Sequence, residues 1–131
     1  MNFEAENVPL EKLPQPAGWR ILVAPVKIEK VSQGGIVLVD DTTEAMQYFR
    51  NVGKVLAVGS ECYKHPKFQG GIELTVKEPR AWCKVGDIIH FNSFNGADIV
   101  LHYEGEAIKL KIMNDDCVFS VIPDTDVLKL V

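Results

Sequence analysis

The stretch Ala107-Ile108-Lys109-Leu110-Lys111-Ile112 limits the possible folds more than any other part of the chain, because its period is two. Ile108, Leu110 and Ile112 share one face and Lys109 and Lys111 the other, as a strand with one buried and one wet side requires; helical geometry would scatter them. Residues 99–103 form a second apolar run just ahead, and Glu104-Gly105-Glu106 between the two reads as a hairpin loop. Asn114-Asp115-Asp116 then turns the chain into a further run at 117–122.

Similar β-branched runs separated by turn residues occur at 20–29, 53–59 and 87–92, so the chain is expected to be all-β. Many short strands with tight turns suit a small barrel, because closure removes the edges that a flat sheet exposes. Pro9, Pro14, Pro16 and Gly18 break up residues 1–18, which read as an irregular arm, with the fold proper starting near Trp19. Residues 60–82 read as an excursion with its own hairpin around Ile72-Glu73-Leu74-Thr75-Val76, and residues 124–131 as a tail. One helix is conceivable, capped at Asp41 with Glu44 reaching back and Met46, Phe49 and Val52 at helical spacing; alone it would be marginal.

At 131 residues and 47% hydrophobic composition, the chain can bury one core, and a single domain is expected. Fourteen Lys and Arg against eighteen Asp and Glu give a net charge of −4 with no basic cluster, which argues against nucleic acid as a partner. No apolar run approaches the roughly 20 residues that span a bilayer, and the first residues lack the pattern of a secretory signal. A cytoplasmic protein without membrane contact is expected. Cys62, Cys83 and Cys117 include no C-x-x-C pair, so packed thiols are expected rather than disulfides.

Cys62 and His65 have C-x-x-H spacing, with Cys83 and His90 as conceivable completing ligands, but a structural zinc site needs two such clusters and only one is present. His90 and His102 lie in expected strands, where a packed or solvated imidazole is commoner than a general base. No catalytic residue, metal or cofactor is assigned, and no phosphate-cradling loop is present. The feature with most binding potential is Gly34-Gly35-Ile36-Val37-Leu38, an apolar triplet behind two glycines and ahead of Asp40-Asp41-Thr42-Thr43. Such a triplet on a pliable loop is placed to meet a partner.

In this order, Gly34-Gly35-Ile36-Val37-Leu38, Gly53-Lys54-Val55-Leu56-Ala57-Val58-Gly59, Lys84-Val85-Gly86-Asp87-Ile88-Ile89-His90-Phe91-Asn92 and Asn114-Asp115-Asp116-Cys117-Val118-Phe119 make the chain resemble a GroES-type co-chaperonin. The resemblance implies a GroES-like small Greek-key-type β-barrel with a mobile loop at 31–51 and a roof hairpin at 60–82. It implies a non-enzymatic lid that caps a GroEL-type chaperonin and encloses unfolded clients, with Ile36, Val37 and Leu38 inserting between two apical-domain helices in a cycle driven by the chaperonin's ATP.

By the same resemblance, subunits join in a heptameric ring by pairing Arg20, Ile21, Leu22 and Val23 with Val118, Phe119, Ser120, Val121 and Ile122 of the next chain. The bulky excursion with Tyr63, Phe68 and Trp82, the acidic and aromatic loop residues Met46, Tyr48 and Phe49, and the terminal extensions depart from the family pattern, as in bacteriophage-encoded members acting in a host cytoplasm. Two other readings compete: the GroES-like substrate domain of a zinc alcohol dehydrogenase, and a small nucleic-acid-binding barrel.

Overall fold

A computed structural model of the chain describes residues 2–27, 50–68 and 81–124. The triplet Ile36, Val37 and Leu38 with Gly34 and Gly35, the residues Met46, Tyr48 and Phe49, the run Ile72 to Val76 and the tail after Asp124 all lie outside the described residues. Among the described residues six antiparallel strands form one sheet: β1 (Arg20–Pro25), β2 (Val52–Val58), β3 (Ile88–Phe91), β4 (Ala97–Tyr103), β5 (Glu106–Asn114) and β6 (Val118–Ile122). All six expected runs are strands. Val52, taken above as the end of a helical stretch, instead opens β2.

The ladder order is β4-β5-β1-β2-β3-β6, so β5 returns beside β1 in the manner of a Greek key. Only the 3-10 turn Asp115–Cys117 separates β5 from β6, although three strands lie between them in the ladder. Four peptide steps reach at most about 14 Å, whereas four ladder steps measured flat are about 19 Å, so the sheet must be rolled. Its interior confirms this: Ile21, Val23, Val55, Ile89, Phe91, Met113 and Val118, from five strands, share one core with Tyr63, Phe68 and Cys83.

The turn between β4 and β5 is one residue tighter than its sequence suggests. Tyr103 pairs with Glu106, and the two residues between them, Glu104 and Gly105, have φ of 51° and 81°. Two consecutive left-handed residues match the right-handed twist of the strands they join, and only Gly105 adopts that conformation without steric cost.

Alternation along β1 sends Ile21 and Val23 inward and Leu22 and Ala24 outward, yet all four are fully buried. Leu22 and Ala24 are covered by a second cluster that also holds Val52, Ile108 and Leu110 and, from the N-terminal arm, Phe3, Val8 and Leu13. This corrects the expectation that the fold begins near Trp19. The arm is irregular, with a 3-10 turn at Leu10–Lys12, but it is a packed layer. Burying three such side chains contributes about 1.5–3 kcal/mol each before ordering costs.

Candidate functional site

Residues 28–49 fall in sequence between β1 and β2, which are neighbours in the ladder. Their roots are held side by side: Pro25 pairs with Gly53, and the Val26 N–H donates to the Val52 carbonyl at 3.2 Å. Gly53 is required here, because a Cβ on it would lie 2.6 Å from Val23 Cγ1 and 2.8 Å from the Ala24 carbonyl. Asn51 ties the second root to the β3–β4 turn: its carbonyl accepts from Phe91 N–H at 2.9 Å and its Oδ1 from Ser93 N–H at 3.0 Å. The described residues that flank 28–49 are therefore held together at Val26 and Val52.

The foot of the excursion is a second built region. The Tyr63 hydroxyl donates to the Asp115 carbonyl at 2.8 Å and meets Cys83 Sγ at 3.2 Å, while the Tyr63 N–H donates to Asp115 Oδ2 at 2.9 Å. Phe68 stands edge-on to Tyr63 and to Trp82, with ring centroids 4.9 and 4.8 Å away. Tyr63 has φ of 61°, and its bonds to Asp115 offset the cost of that left-handed backbone. Of the adjacent Asp115 and Asp116, read above only as turn residues, the first is the buried anchor and the second is exposed, paired to Lys67 at 2.7 Å.

The thiols here are not poised for chemistry. Burial pushes the Cys62 thiol up to about 11, and its Sγ donates to the Arg20 carbonyl at 3.2 Å. Burial likewise raises Cys83, Cys117 and the Tyr63 phenol. Thiols held protonated are poor nucleophiles and poor metal ligands. His65 Nδ1 accepts from the Lys67 N–H, and His90 stacks on Phe119 at 5.4 Å, so the conceivable zinc quartet does not converge. Among the described residues no three His, Cys, Asp or Glu are grouped to hold a metal, and all three cysteines are free.

The two strands expected to meet between subunits differ in how their edges are placed within the chain. β1 is hydrogen-bonded to β2 on one side and β5 on the other, and Ile21, Leu22 and Val23 are fully buried. Within the chain, both ladder edges of Ile21, Leu22 and Val23 are thus occupied. β6 pairs only with β3 among the described strands, and there Phe119 (61% exposed), Ser120 and Val121 face solvent, whereas Val118 belongs to its own core.

Among the described residues six strands roll into one barrel, which places the chain in the class of small all-β proteins. The particular assignment follows from sequence. The family model described as chaperonin 10 Kd subunit matches residues 14–128, and the chain belongs to that family. Membership gives it a co-chaperonin role in general terms, with a chaperonin as partner and assembly into a ring, and does not favour the enzyme-fragment reading. Among the described residues no helix is long and apolar enough to cross a membrane.

Proposed function

We propose that the protein caps a GroEL-type chaperonin in the cytoplasm as a heptameric ring, closing the chamber around unfolded clients while the chaperonin's nucleotide state drives closure and release. The family match over residues 14–128, which takes in Gly34, Gly35, Ile36, Val37 and Leu38, carries this reading. Ile36, Val37 and Leu38 are the contact residues. Burying three aliphatic side chains yields about 1.5–3 kcal/mol each, much of it offset by the cost of ordering the loop that bears them. One loop binds weakly, and repetition around a ring raises avidity by roughly 10²- to 10⁴-fold while leaving each contact separable.

The fixed roots at Val26 and Val52 support this use, since a binding segment held at both ends loses less freedom on capture than a free tail. The edge of β6 that pairs with no other described strand, with Phe119 and Val121 exposed, supports assembly through that strand, because an apolar edge invites another strand. Val37→Asp tests the proposal. It should abolish nucleotide-dependent co-purification with a chaperonin while leaving the assembly mass unchanged by native mass spectrometry; retained binding would sink the assignment.

A further inference from the structure

We propose that the N-terminal arm is a strap that fixes where residues 28–49 leave the barrel, and so sets how much ordering a partner held through that segment must supply. The second half of this statement rests on the function proposed above. The first half rests on the ladder itself. β5 accompanies β1 only as far as the pair Val23 and Lys111, and beyond that point the arm takes over the vacated edge. Phe3 forms an antiparallel bridge with Val26, the Glu4 N–H donates to the Pro25 carbonyl at 2.9 Å, and the Lys27 N–H donates to the Asn2 carbonyl at 2.7 Å.

On the other side the Val26 N–H is taken by Val52, so the last residues before the segment are gripped from both edges. The arm has its own devices for holding that pose. The Phe3 side chain is buried in the outer core, the Phe3 N–H donates to Glu6 Oε1 at 3.1 Å, and a turn through Ala5, at φ 63°, closes with the Val8 N–H on the Ala5 carbonyl. Beside it lies a polar recess lined by Glu4, Glu6, Lys27 and Glu106, where the Lys27–Glu106 pair spans 3.9 Å and is exposed at both ends. Such a pair adds little. The grip is therefore made by Phe3 and two backbone hydrogen bonds, which can open without unrolling the barrel. These residues precede the span matched to the family, 14–128.

Two variants test it by different routes in the full-length assembled protein. Phe3→Ala removes the buried anchor, and Glu4→Pro removes the N–H that donates to Pro25 while keeping the Phe3 ring. Each net hydrogen bond slows local opening by roughly a factor of five to ten. Both variants should speed amide exchange at Lys27 by about fivefold or more, leave Ile21, Leu22 and Val23 amides unchanged, and weaken nucleotide-dependent association with a chaperonin several-fold at unchanged assembly mass.

Wild-type exchange at Lys27 in both variants would overturn the strap, as would acceleration shared equally by the β1 core amides, which would make the arm only part of the global core. Faster exchange with unaltered chaperonin affinity would overturn its effect on the partner. If the unaltered protein fails to associate with a chaperonin, the proposed function fails, and the exchange comparison still decides whether the strap exists.

Discussion

Replacing Asp115 with alanine removes the acceptor that holds Tyr63 in its left-handed backbone conformation. The carboxylate is 3% exposed and accepts the Tyr63 N–H at 2.9 Å. A hydrogen bond to a charged group is worth about 1.5–3 kcal/mol, and the truncation also strands a buried N–H. The backbone bonds of residue 115, from its N–H to the Trp19 carbonyl and from the Tyr63 hydroxyl to its own carbonyl, survive the substitution. The expected loss is thus about 2–3 kcal/mol, which at this chain length lowers the melting temperature by about 6–15 °C.

Asp115→Asn keeps a neutral acceptor in place and should cost about 1 kcal/mol. The assay is guanidinium unfolding followed by tryptophan fluorescence, because Trp82 packs on Phe68 and Trp19 accepts from residue 115. Protein concentration must be fixed across variants, since assembly makes apparent stability depend on it. An Asp115→Ala protein within 0.5 kcal/mol of the parent by this measure, an order-of-magnitude threshold for a neutral change, would refute the anchoring argument. So would an asparagine variant as damaged as the alanine one.

Gly59→Ala should unfold or strongly destabilise the barrel by more than about 2 kcal/mol, read as a lost or lowered melting transition, because the added Cβ would overlap the Gly18 carbonyl oxygen, a backbone atom that cannot swing away. Alkaline pH should also weaken the fold. The unfolded Cys62 thiol releases its proton near 9.0, while burial delays release in the folded state to about 11, so between those values the unfolded state binds fewer protons and stability falls as pH rises. Melting temperature followed across that window should decline above about pH 9, and less steeply in Cys62→Ala; an upward or flat profile there would contradict the sign.

The strands were legible because their signal is local. A period of two at Ile108, Leu110 and Ile112 survives any tertiary context that offers one buried face, and turn residues mark the ends. The tighter turn at Glu104 was not legible, since a glutamate with positive φ is a response to strand twist that no residue preference announces. The arm was misjudged for a related reason. Its prolines exclude regular structure, and regular structure is not needed to bury Phe3, Val8 and Leu13, whose wide spacing matches neither a helix nor a strand.

The occupied edges of β1 were not legible: strand identity is visible in sequence, but which edges are taken within the chain depends on β5 returning beside it. The Tyr63 and Asp115 contact joins residues 52 positions apart, and nothing in either neighbourhood points to the other. The run holding Ile36, Val37 and Leu38 stood out through its order among other motifs, while the hydrogen bonds at Val26, Asn51 and Val52 became visible only in the fold.

The position of β1 between β2 and β5 also governs the first seconds of the chain's life. Ile21 pairs with Met113, which is synthesised roughly 90 residues later. At 5–20 residues per second, a nascent chain therefore carries β1 with one bare edge for about 5 to 20 s. The outward faces of Leu22 and Ala24 need not wait, because Phe3, Val8 and Leu13 have already left the ribosome and can cover them. A protein whose family serves the folding of others thus brings, in its own first residues, a temporary shelter for a strand that must wait for β5.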